Sequence, residues 1–181
     1  NKNWKIRSTN SVQVFQNDLF STARPNSSSK FIKTDGTWIR GLQRTEVEES
    51  YYISQLDLTG KFNTGKIAHN LLVGAEIDQY YTNTIAYNAL ATYDTVNIYS
   101  MDVHSQRSDI PTLTKKTDTK TPRTRTGFYV QDMICLTKKI KLLAGVRFSY
   151  LETESNVYTH SSKVTTYSTL YDHAFSPRAG L

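Results

Sequence analysis

Apolar and polar positions alternate with a period of two along most of the chain, the pattern of strands with two unlike faces. Six strands are predicted, and no stretch carries a helical period. The first spans about Trp4 to Asn17, with Trp4, Ile6, Val12 and Val14 on one parity and Lys5, Arg7, Thr9 and Gln13 on the other. The second starts near Thr37 and is clearest from Tyr51 to Phe62, where Tyr52, Leu56, Leu58 and Phe62 oppose Gln55, Asp57, Thr59 and Lys61. The third runs from His69 to about Thr82, with Leu71, Val73, Ala75 and Ile77 against Asn70, Gly74, Glu76 and Asp78. The fourth covers about Arg125 to Leu136, and the alternation of Thr117, Thr119 and Thr121 allows an earlier start. The fifth reads Ile140, Leu142, Ala144, Val146, Phe148 and Tyr150 on one face, and the sixth opens at Tyr171 and continues to Leu181.

The connections alternate long, short, long, short, long. Asp18 to Gly36, about Asn83 to Thr124, and Leu151 to Leu170 are the long ones. Asn63 to Lys66 and Thr137 to Lys139 are the short ones. Soluble sandwiches lack that regularity, whereas outer-membrane barrels have short periplasmic turns, long extracellular loops and strands of alternating hydrophobicity. Six strands are too few to close a membrane barrel, whose smallest members have about eight. An open sheet would leave edge backbone groups unpaired in hydrocarbon or exposed to aggregation in water. The fold expected is all-β, an antiparallel transmembrane β-barrel segment, with residues 1–181 forming part of a single barrel domain. Parity alone leaves a soluble β-sandwich binding module open, because an apolar face can meet a second sheet as well as lipid.

Composition narrows the function classes. Aromatic residues make up 12% and tyrosine alone numbers 12, which fits strands and argues against disorder. A single cysteine, Cys135, excludes an internal disulfide and a cysteine-based metal cluster. The formal charge of +6 admits an anionic partner without naming one. His69, His104, His160 and His173 have no metal-ligand spacing, and no nucleophile-elbow serine or phosphate loop is present. Catalysis, a bound cofactor and a nucleic-acid partner are therefore not expected.

Several runs carry a resemblance. Arg125-Thr126-Gly127-Phe128-Tyr129-Val130-Gln131-Asp132, and Leu142-Leu143-Ala144-Gly145-Val146-Arg147-Phe148-Ser149-Tyr150 one short turn later, resemble barrel strands of TonB-dependent outer-membrane receptors. Leu58 to Gly65 followed by His69 to Glu76 looks like that family's preceding hairpin, and Phe175 to Leu181 like the strand after. Order and spacing both match, closest to the siderophore-receptor branch. The resemblance covers roughly Leu56 to Leu181 and implies about six strands of a 22-stranded barrel in the bacterial outer membrane. It implies a parent protein that imports ferric siderophores, driven by TonB acting on a plug domain. The plug and the TonB-contacting segment have no counterpart here. A TonB-dependent importer of another substrate, such as a glycan or cobalamin, and a passive porin are the alternatives.

Under that resemblance, Asp57, Glu76, Asp78, Gln131 and Arg147 should face the lumen, while Asp132 shares the parity of the apolar set. Trp4, Trp38, Tyr51, Tyr52, Tyr80, Tyr81, Tyr150 and Tyr171 fall near strand ends, where aromatic girdles form. The longest loop offers Tyr87, Tyr93, Tyr99, His104 and Arg107 as candidate contacts for an anionic, ring-bearing ferric siderophore. The basic run Arg107, Lys115, Lys116, Lys120, Arg123 and Arg125 suggests a rim meeting lipopolysaccharide or ligand. Outer-membrane lipid is the remaining expected partner.

Overall fold

The computed structural model describes residues 3–22, 24, 31–100 and 107–181. Seven strands form one antiparallel sheet: β1 (Trp4–Thr22), β2 (Thr37–Thr64), β3 (Ile67–Tyr87), β4 (Leu90–Asn97), β5 (Lys115–Cys135), β6 (Lys141–Thr159) and β7 (Val164–Gly180). The order is β1-β2-β3-β5-β6-β7, and β4 pairs only with the upper end of β2. The six predicted strands are the six on that path.

The strands are longer than the alternation indicated. β6 reaches Thr159 and β7 starts at Val164, so the expected third long loop is mostly strand closed by a four-residue turn with Lys163 at φ 54°. β5 starts at Lys115, as the threonine alternation allowed, and β4 lies inside the segment expected to be unstructured. The physical reason is common to all three. Beyond the membrane both sheet faces meet water, so the two-residue hydropathy period vanishes while Thr, Tyr and Val still favour extended backbone. Pairing of β5 with β6 skips Thr121 and Pro122, where proline has no N–H to donate.

The registers sort the side chains into two faces. Ile6, Leu58, Val73, Val130, Val146 and Pro177 stand in one cross-strand row, and Leu56, Ala75, Phe128, Phe148 and Phe175 in the next. Ile6, Leu56, Phe128 and Phe175 on this face are exposed. Buried apolar residues among the described ones number three, Leu42, Tyr93 and Leu113, all at the upper end. A soluble sandwich would bury the apolar face against a second sheet; here it lies bare, as a lipid-facing wall does. From Phe62 to Tyr52 the strand climbs about 34 Å, or about 26 Å along the normal at a tilt near 40°, the height of a hydrocarbon band.

Two aromatic levels bound that band on the outer face: Trp4 and Phe62 below, Tyr52, Tyr81, Tyr150 and Tyr171 above. Tyr51 and Tyr80 have the opposite parity and face the lumen, and Trp38 lies in the extracellular extension of β2, so these three leave the girdle. Asp132 stays on the outer face with no bulge beside it in the β3–β5 register, near the lower rim, where His69 Nδ1 lies 2.6 Å from its Oδ2.

Candidate functional site

The lumen face of β1–β6 carries a ladder of ion pairs that steps across the strands. Asp57 on β2 and Asp78 on β3 are each 2% exposed, so each needs a partner to be tolerated. Arg7 Nη2 on β1 donates to Asp57 Oδ2 at 2.7 Å. From the other side Tyr129 on β5 donates its hydroxyl to Asp57, and Gln55 Nε2 donates to the Tyr129 oxygen at 2.9 Å. Tyr129 is not on the neighbouring strand; β3 lies between, and the residue in that row of β3 is Gly74. A Cβ at Gly74 would overlap the Tyr129 ring, so the glycine opens the path. Gly127 does the same one row up, where Arg147 on β6 reaches across β5 to Glu76. Arg125 Nε donates to Asp78 Oδ2 at 2.6 Å. The expected lumen set of Asp57, Glu76, Asp78, Gln131 and Arg147 thus lies on one face.

Above the ladder the wall changes character. Gln13, Tyr51, Tyr80 and Arg123 form one lumen-facing row, with Phe15 and Glu49 beginning the next. Together these six residues line a recess of about 280 Å³. Tyr51 and Tyr80 meet edge to face with ring centroids 6.3 Å apart, and the Arg123 guanidinium lies 5.0 Å from the Tyr80 ring centroid. Arg7, Arg125 and Arg147 are each held by a carboxylate. Arg123 is the lumen-facing arginine of β1, β5 and β6 without an ion-pair partner among the described residues. The sequence pattern put Tyr51 and Tyr80 in a girdle and Arg123 in a basic run; the signal against this is that each has the polar-face parity of its own strand.

The five loop candidates separate. Tyr93 and Arg107 come together. The Arg107 guanidinium lies 4.6 Å from the Tyr93 ring centroid and Nη1 donates to the Tyr93 carbonyl at 2.6 Å. The Tyr93 hydroxyl donates to the Asp109 carbonyl, and Arg107 Nη2 donates to Asp109 Oδ2 at 2.8 Å. The Arg107 guanidinium, donating to it, holds the Asp109 carboxyl below its ordinary range. With Leu42, Leu113 and the Arg40–Asp94 pair nearby in sequence and register, the loop has a small core of its own. Tyr87 belongs to a second cluster, in which Arg44 lies between the Phe20 and Tyr87 rings at 4.6 and 4.5 Å. Its hydroxyl donates to Glu46 Oε1 at 2.5 Å, which raises the phenol above its ordinary value. Phe20, Arg44 and Glu46 have outer-face parity. Tyr99 is 73% exposed and its ring lies against Gly36. His104 lies outside the described residues. The basic run also divides: Arg123 and Arg125 face the lumen, Arg107 joins the clasp, and Lys115, Lys116 and Lys120 stay exposed in the upper part of β5.

Comparison with known proteins agrees with the geometry. The family model described as TonB dependent receptor-like, beta-barrel matches residues 1–181. The siderophore receptor PiuA of Acinetobacter baumannii is 28% identical over 177 residues, covering 88% of this chain and 23% of that protein. The catecholate siderophore receptor Fiu of Escherichia coli O6:H1 is 28% identical over 160 residues, 85% of this chain and 20% of its own length. The closed-form crystal structure of Fiu from E. coli K12, a ferric-catecholate import receptor, superposes with a TM-score of 0.80 at 22% identity, covering 99% of this chain and 28% of that one. The chain spans about a fifth to a quarter of the length of these curated relatives. A bare apolar outer face, a charged lumen face and a full-length family match have one common explanation: the chain belongs to the TonB-dependent receptor β-barrel family, whose members reside in the bacterial outer membrane.

Proposed function

We propose that the protein to which this barrel stretch belongs imports ferric siderophores, with TonB supplying energy through a plug domain, and that residues 1–181 contribute wall and extracellular loops of one barrel domain. The observation that carries the reading is Arg123. It is a cation with no ion-pair partner among the described residues, beside Tyr51, Tyr80 and Phe15 and with Glu49 one row above in the same recess, on the lumen side above the neutralised ladder. An anionic chelate with ring-bearing arms finds charge and π-faces there together. That relatives are named siderophore receptors supports the same cargo. Tyr99, exposed just past β4, is a loop aromatic open to an arriving ligand, whereas Tyr93 and Arg107 act on the loop by holding it.

The test is binding and uptake by the full-length receptor. Ferric siderophores should bind with or without TonB and accumulate only with it present. Arg123→Gln should weaken binding of an anionic ferric siderophore by about tenfold, the scale of one charge-assisted contact. Uptake of a glycan or cobalamin in place of ferric siderophores would overturn the cargo. Conductance independent of TonB would point to a porin.

A further inference from the structure

We propose that the lower rim of the outer face binds an anionic phospholipid of the periplasmic leaflet. Three rings lie side by side there. Trp4 and Phe62 are stacked with centroids 6.3 Å apart and planes within 4°, and Phe62 and His69 at 4.8 Å and 6°. Gly60, between Trp4 and Leu71 in its row, leaves the space the indole occupies. Trp4 and Phe62 are 40% and 39% exposed, so the shelf is open to the lipid side.

A polar pair interrupts this apolar face. Asp132 Oδ2 lies 2.6 Å from His69 Nδ1, which fixes the ring. Charged groups facing lipid are tolerated near the interface and not at the midplane. This pair therefore marks the level of glycerol esters and phosphates.

About 10 Å below His69, by strand rise, the chain turns at Gly65-Lys66. Extending the β3–β5 register past Ala68 and Cys135 sets Lys66 opposite Thr137, so the turn carrying Lys138 and Lys139 is its neighbour. Lys66, Lys138 and Lys139 are all exposed, and neither turn contains Asp or Glu. Uncompensated lysines beneath an aromatic shelf complement a lipid with net negative charge, its phosphate toward the lysines and its acyl chains along Phe62, Leu71 and Ile134.

The test uses the full-length receptor, delipidated in detergent and titrated with phosphatidylglycerol or phosphatidylethanolamine of matched chains, read by native mass spectrometry. Phosphatidylglycerol should bind about tenfold tighter, a preference that fades as salt rises. The triple variant Lys66→Gln, Lys138→Gln, Lys139→Gln should erase that preference. His69→Phe, which keeps the stack, should leave that preference in place. Heat-modifiable migration of each variant confirms the folded barrel. Equal binding of the two lipids by the wild type, tighter phosphatidylethanolamine, or a triple variant with unchanged preference would overturn the site.

Discussion

Gly74 is the residue at which an absent side chain matters most. The Tyr129 hydroxyl reaches the buried Asp57 only because nothing rises from β3 between them. In Gly74→Ala the tyrosine must swing aside, leaving Asp57 to Arg7 and Gln55. Loss of one hydrogen bond to a buried carboxylate costs about 1–3 kcal/mol. Thermal unfolding of the full-length receptor should register that loss. Gly65→Asn is the contrast: its φ of 62° suits asparagine and no atom lies near a Cβ there, so stability should change by about 0.5 kcal/mol or less. Equal effects at both glycines would mean that the crossing from Tyr129 to Asp57 carries no energy.

The strands above the membrane and the loop that β4 organises belong to the scale of elements. β4 is held to β2 by a short ladder and to the following loop by the clasp of Tyr93, Arg107 and Asp109. Exposed ion pairs alone are weak, but Arg107 also bonds the Tyr93 carbonyl and covers its ring, so the clasp is cooperative. Asp109 sits below its ordinary carboxyl value in the folded loop because Arg107 donates to it. The contribution is therefore present above the ordinary carboxylate range and is lost as pH falls through the lowered value, while Arg107 stays cationic throughout. Amide exchange in β4 and residues 107–114 should quicken near pH 3 relative to pH 7, after correction for intrinsic rates. Arg107→Ala should produce the same quickening at pH 7. Exchange that ignores both changes would show that the small core of Leu42, Tyr93 and Leu113 suffices.

At the scale of the whole molecule the question is which face meets lipid. Val130 and Gln131 are adjacent on β5 and point to opposite sides. Val130→Arg places a cation in the middle of the outer face and should cost about 2–4 kcal/mol in folding equilibria with bilayers. Gln131→Arg adds the same charge to the wet lumen and should be nearly neutral. A reversed ranking would invert the wall and remove the lumen reading of the ladder and of the Arg123 recess together.

Within the membrane band, sequence alone determined a great deal. One face of each strand must be apolar and the other polar, so parity sorted Ile6, Leu58, Val73, Val130 and Val146 onto one face and Asp57, Glu76, Asp78 and Arg147 onto the other, and the family resemblance made the first the outer face. The same logic failed above the band. There, water on both faces removes the constraint, and β4, the first residues of β5 and the upper parts of β6 and β7 were read as loop. Only the tertiary structure decided which polar groups meet. Tyr129 reaches Asp57 because register sets Gly74 between them. Arg123 is left over because Asp78 takes Arg125 and Glu76 takes Arg147. Tyr93 is enclosed by Arg107 because β4 folds back along β2. Those pairings depend on the stagger between strands far apart in sequence, and a period of two within one strand carries no information about stagger.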